Sequence, residues 1–404
     1  GDAQWVTAAA NKRSSTSSSS RSVSQSPPTS YNGWSVSEVW VGELRVLAAE
    51  GKATHDRLVY LMMEKFHLRT HLSALKKFLL LGQGDFVAVL MDALREELNK
   101  PASELHRHSL EGIVDGALRN SNAQYELPEV LERLGVKLLL AQQDIGWEIF
   151  SLDYKVEAPL TSVITKASMV IYRQVFHLLW RLKRADMLLG GTWRLHMMSA
   201  KMQMAKRLPR LSATLHDANL VRNRMWHLFQ NLSNYMMFEV LEESWTMLES
   251  KLDSAKDLDD LIAAHEDYLQ TVKSKALLSA ELAPVVEQLH CVIDIVISFC
   301  ATTKVLFEDA MSEMQRQDEK VRINKQREED GLWALEDDDD DDDIDSDRRS
   351  GVALVTIDSL QSLGRDFDDA LSDFIQHLRD SPSGPEIIRF LLFRLDFNGF
   401  HGLA

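Results

Sequence analysis

Apolar residues recur every three or four positions along two long stretches, first Val285, Leu289, Val292, Val296, Phe299, Thr303 and Phe307, then Leu360, Leu363, Phe367, Leu371, Phe374 and Leu378. That period lines one face of a helix, so both stretches are expected to be long and amphipathic. Tyr172, Phe176, Leu179 and Lys183 mark another helix, expected to stop at Gly190-Gly191, where paired glycines favour a C-cap. From Thr192 to Asp330 there is no glycine, and the only prolines are Pro209 and Pro284, so few breakers interrupt this half of the chain. One segment has a different period: Phe150, Leu152, Tyr154 and Val156 alternate with Ser151, Asp153 and Lys155, which predicts a strand. With Val136 to Leu140 it could form a small hairpin. The expected fold is therefore all-α, a multi-helix bundle of long helices with at most a small β-hairpin near residues 136–156.

Composition adds bounds to this picture. At 404 residues and 45% apolar content, the chain can bury a substantial core, as one large helical domain with tails or as two or three domains. Residues Asn11 to Ser30 are mostly Ser and Thr with Pro27-Pro28, too polar to offset chain ordering, so residues 1–35 are read as a disordered tail. Glu336, the seven aspartates Asp337 to Asp343, Asp345 and Asp347 place ten negative charges within twelve residues, and 327–350 is read as an acidic linker. Calcium binding there lacks support, because an EF-hand loop needs a glycine and a spaced terminal Glu. Cys291 and Cys300 lie nine residues apart in one helical segment, roughly 13 Å along the axis, too far for a disulfide. The apolar run Val292 to Phe299 is broken by Asp294 and is far shorter than a membrane span. No charged n-region with an apolar core opens the chain, and the expectation is a soluble intracellular protein.

Charge singles out one region. Between Lys166 and Arg224 twelve Lys and Arg face only Asp186 and Asp217, a local balance of +10 in a chain of net charge −16. Trp180, Trp193, Met187, Met197, Met198, Met202 and Met204 are interleaved with these cations. Such a stretch suits a negative partner: an acidic protein, an anionic membrane or nucleic acid. A nucleic-acid-binding helical module using 166–224 is the alternative function, disfavoured because its flanks are acidic.

Other motifs point away from catalysis. Gly82-Gln83-Gly84-Asp85-Phe86 lacks the third glycine of a dinucleotide fingerprint and the Lys-Ser or Lys-Thr of a phosphate loop. It is read as a helix stop with the next helix capped by Asp85. His67 and His71 share the i, i+4 spacing of metal ligands, but Arg69 lies between them and no Glu base is present; they are read as ordinary helix surface, as are His106 and His108. No Gly-x-Ser-x-Gly elbow occurs. No catalytic residue, cofactor or metal is expected.

A set of ordered segments then becomes recognisable: LKKFLLLGQGDF from Leu75, FSLDY from Phe150, Ala158-Pro159-Leu160, YRQVFHLLWRLKR from Tyr172, FEVLEESW from Phe238, LDDLIAAHEDYL from Leu258 and RFLLFRLDFN from Arg389. Together they resemble the carboxy-terminal domain of the gamma-tubulin complex proteins, over about His71 to Asn398. The resemblance implies an all-α domain that binds gamma-tubulin, an acidic protein, in a complex that templates microtubule nucleation at organising centres and spindle poles and caps minus ends. On this division, 36–70 is a remnant of the family's amino-terminal helical domain, 71–326 the main binding domain and 351–404 its closing helices. Most of the amino-terminal domain used for lateral contacts has no counterpart here, so lateral assembly with other components is expected to be impaired. Tyr172 and Trp180 are assigned to the core. Arg181, Lys183, Arg184, Arg194, Lys201 and Arg207 are expected on an outer face that docks gamma-tubulin, with no nucleic acid and no membrane span involved.

Overall fold

The computed structural model describes the backbone of residues 36–139, 145–329, 340–380 and 385–395, which leaves the Ser-rich stretch, Asp337 to Asp339 and the last nine residues outside the described part. Two compact units are present, residues 1–56 and 57–404. In the first, the described backbone belongs to α1 (Val36–Tyr60), which runs across the boundary.

The second unit opens with a π-helical turn at Leu61–Lys65, then α2 (Leu68–Ala74), which continues through another π-helical turn at Leu75–Leu79. Leu81 there adopts a left-handed backbone (φ 54°), and Gly82 N–H donates to the Lys76 carbonyl at 3.1 Å, closing the helix. A Cβ at Gly82 would meet that carbonyl oxygen at 3.0 Å, which explains the glycine. The stop is thus where the sequence puts it, but Asp85 does not cap the next helix. In α3 (Gly84–Leu98) the N-cap is Gln83, without a side-chain bond, and the Asp85 carboxylate instead accepts from Asn122 N–H at 2.8 Å. These contacts lower the Asp85 pKa, chiefly through Asn122.

Next come α4 (Arg107–Arg119), a single turn α5 (Pro128–Leu131) and strand β1 (Leu134–Leu138). After α6 (Gly146–Ile149), strand β2 (Phe150–Tyr154) pairs antiparallel with β1, Val136 opposite Leu152 and Leu138 opposite Phe150. This is the expected hairpin, and it fastens the opening helices to the core through buried Phe150, Leu152 and Tyr154. His71 is buried rather than superficial, because its Nδ1 lies 2.6 Å from the Tyr154 hydroxyl; burial first, then Arg133, lowers its pKa.

The centre is α7 (Lys166–Lys201), capped by Thr165, whose Oγ1 accepts from Ser168 N–H at 3.1 Å. It does not end at Gly190-Gly191. Thr192 and His196 continue the buried face of Leu189 beyond the glycines, and this packing offsets the roughly 1 kcal/mol that each helical glycine costs. A short turn, α8 (Met204–Arg207), leads back into α9 (Pro209–Asn234), which passes through a π-helical stretch at Tyr235–Glu242 into α10 (Glu243–Ser254). A hairpin partner, α11 (Leu258–Lys275), precedes α12 (Ala283–Glu329), α13 (Asp340–Asp380) and α14 (Pro385–Leu395). Helix therefore extends into both ends of the segment read from sequence as an acidic linker.

Packing puts α12 between α7 and α13, while α9 packs against α7, α13 and α14. Val292, Ile293, Val296, Phe299, Leu306 and Phe307 are the α12 side of this core. The stretch 258–326 contains a window apolar and long enough to cross a membrane by length and composition; in this fold its apolar residues on α12 line the bundle core. Cys291 is exposed and Cys300 buried, both unpaired on α12. Phe150, Phe176, Trp147 and Trp180 gather on the other side of α7, with Trp180 at 5.1 Å from Phe150 and 5.5 Å from Phe176 between ring centroids. Tyr172 is likewise buried, its hydroxyl 3.1 Å from His265 Nε2.

Candidate functional site

The six cations singled out from sequence do not share one face. Arg181 is drawn inward, with Nη2 2.6 Å from Asp294 on α12 and Nε 3.7 Å from Glu148 on α6. Arg184 is 8% exposed, lies 3.5 Å from the same Glu148 and stacks its guanidinium 5.1 Å from the Trp147 ring. Burial lowers its pKa and Glu148 opposes that shift. Both arginines therefore hold α7 to its neighbours, which corrects their placement on the outer face. Arg207 pairs with Asp318 of α12 and also reaches the Met314 carbonyl at 3.5 Å.

Lys183, Arg194 and Lys201 remain. They project from one side of α7, Arg194 and Lys201 exposed and Lys183 half-buried, and none has a carboxylate within ion-pair distance among the described residues. Elsewhere in the basic stretch Arg173 lies 4.0 Å from Asp153, and Arg224 bonds both Asp368 oxygens at 2.7 and 2.8 Å. Arg222 is buried against the side-chain amides of Asn219 and Asn223. Much of the local positive charge is therefore consumed inside the fold.

Beside the three outward cations lies an apolar face made of residues that the sequence interleaves with them. Trp193 and Met198 are each 47% exposed, with Met197 and Met202 also open to solvent. The signal was the spacing: Trp193 with Met197, Arg194 with Met198, and Met197 with Lys201 are i, i+4 pairs and so adjacent on a helix. Met204, grouped with them by sequence, is buried instead. On the same face, Gly190 leaves open space where a Cβ would be, so the helix backbone is bare just before Trp193. Exposed Trp and Met beside cations without an ion-pair partner among the described residues make this face the candidate site.

Among the described residues no group of three His, Cys, Asp or Glu could hold a metal ion. On the inner side of the same turns His196 is buried near Arg222, which together lower its pKa to about 4, burial being the larger cause.

Comparison with known proteins matches residues 68–401 to the gamma tubulin complex component C-terminal family. A gamma-tubulin complex component 3 homolog of Xenopus laevis is 38% identical over 349 residues, covering 85% of this chain and 38% of that protein. Human gamma-tubulin complex component 3 is 37% identical over 349 residues, with the same shares, 85% and 38%. Spindle pole body component alp6 of Schizosaccharomyces pombe is 34% identical over 352 residues, 86% of this chain and 39% of that protein. The chain thus spans about two fifths of the length of these relatives.

Proposed function

Because the chain belongs to the gamma-tubulin complex component family through its C-terminal domain, we propose that it binds gamma-tubulin and helps template microtubule nucleation at organising centres and spindle poles, capping minus ends. The observation that carries this reading is the outer face of α7, with Trp193, Met197 and Met198 flanked by Lys183, Arg194 and Lys201. The cations speed and orient encounter with an acidic partner, and the aromatic and thioether groups supply apolar contact. Nucleation then needs no reaction in this chain. Holding several gamma-tubulins side by side removes most of the entropy cost of bringing them together, so incoming dimers meet a formed template. Any nucleotide in the assembly belongs to gamma-tubulin, and lateral contacts involve other components of the complex.

Reversing Lys183, Arg194 and Lys201 together to Glu is expected to weaken gamma-tubulin binding at least tenfold, about 1.4 kcal/mol, with the unfolding temperature unchanged. Calorimetry or size exclusion with purified gamma-tubulin reads this directly. Full affinity in the folded variant would move the dock off α7, and no complex with the parent chain would reject gamma-tubulin as the partner. A salt-dependent shift of DNA or RNA by the parent chain, abolished by the same reversals, would favour the nucleic-acid alternative.

A further inference from the structure

Beyond Leu189 the two sides of α7 differ in a regular way. Leu189, Thr192 and His196 point into the core and are buried. Opposite them Lys183, Met187, Gly190, Arg194, Met197 and Lys201 recur at steps of four, three, four, three and four residues. That is a period of about 3.5 residues, the spacing by which a helix holds a second helix against one seam. Lys183, Met187 and Gly190 are half-buried, and Arg194, Met197 and Lys201 are exposed. Trp193 and Met198, both exposed, flank the seam on its two sides. From Lys183 to Lys201 the seam is about 27 Å long, the span of five helical turns.

We infer that the element received here is an acidic amphipathic helix of the partner, laid lengthwise on α7; this mode of contact rests on α7 being the docking face. The middle of the seam permits close approach. A Cβ at Gly190 would meet nothing within 4 Å, and one at Gly191 only the Arg194 guanidinium at 4.0 Å, so a second helix can rest against the backbone there. Met187, Met197 and Met198 are unbranched and adapt to a neighbour's side chains. Lys183, Arg194 and Lys201 lie eleven and seven residues apart, about 16 and 10 Å along the axis and close to whole turns of a helix. A partner helix with carboxylates at the same intervals meets all three cations on one face. Asp186 is the one carboxylate between Lys183 and Lys201, at the edge of the seam, so the outward charge stays positive. A strand on this face would hold its N–H and C=O groups against a helix that has none free to pair, whereas a helix arrives with its backbone satisfied.

The test titrates purified gamma-tubulin into single-site variants of the chain by calorimetry. Lys183→Glu, Arg194→Glu and Lys201→Glu, made one at a time, should each weaken binding about threefold, because a helix of this length meets all three. Gly190→Leu should weaken it about tenfold, since its side chain fills the place of closest approach. The unfolding temperature of that variant should stay level or rise, because the added side chain meets no atom of the free chain and leucine favours helix. Losses confined to Arg194 and Lys201, or a Gly190→Leu variant that binds like the parent, would overturn the lengthwise helix and leave the dock in place. Full affinity in the triple reversal of Lys183, Arg194 and Lys201 would instead remove the dock itself, and the helix with it.

Discussion

Arg184 is a cation spent on structure. Its guanidinium is shared between the Glu148 carboxylate and the Trp147 ring, and without it the half-buried Glu148 keeps only the longer contact to Arg181 at 3.7 Å. Arg184→Glu would place two carboxylates together in that niche, and a loss of about 3–5 kcal/mol is expected in a urea titration, the range for breaking a buried pair. Weakened gamma-tubulin binding by this variant would therefore report misfolding, whereas the Lys183, Arg194 and Lys201 reversals leave the fold intact. His265 gives a second test at this scale. Fully buried, it donates from Nδ1 to the Val163 carbonyl at 3.2 Å, and its Nε2 lies 3.1 Å from the Tyr172 hydroxyl, which can donate to the neutral ring. Burial lowers its pKa from 6.5 to about 4, opposed by the Val163 bond. Because the folded pKa lies below the unfolded one, the stabilisation is complete above about pH 6.5 and is lost as pH falls towards 4, in total about 3 kcal/mol. Unfolding temperatures measured from pH 7 to pH 5 should drop, and His265→Gln should flatten that slope.

Helix α7 shows how an element overrides its local signals. Gly190-Gly191 by itself favours a stop. In the fold the inner face resumes at Thr192 and His196, against α12 and α9, so tertiary burial carries the helix through. The glycines then serve the opposite face, where an added Cβ at Gly190 meets open space and at Gly191 touches only Arg194 at 4.0 Å. Replacing both with Ala is expected to stabilise the protein by about 1–2 kcal/mol through helix propensity, measured by chemical unfolding. If gamma-tubulin packs against the bare backbone, the same variant binds it more weakly in calorimetry, and an unchanged affinity would restrict the contact to Trp193 and beyond. The hairpin of β1 and β2 behaves as its alternation predicted, because one register buries Phe150, Leu152 and Tyr154 together.

Across the whole second unit, helix identity and the apolar faces were legible in the residues, since 3.6-residue periodicity survives any arrangement of neighbours. Val292 to Phe307 on α12 and Leu360 to Leu378 on α13 bury the faces their spacing announced. The ordered motifs also placed the family, which the comparisons bear out over residues 68–401. Charge was less transparent. A count of +10 over 59 positions says how many cations are near one another in sequence, but not which have found a carboxylate 111 or 144 residues away, as Arg207 has in Asp318 and Arg224 in Asp368. His71 misled for the same reason, its partner Tyr154 lying 83 residues downstream. Periodicity is a property of the chain and was fixed by the order of its residues. Which cations stay free is a property of distances between helices, and only the packing of α6, α9, α11 and α12 around α7 left Lys183, Arg194 and Lys201 facing outward.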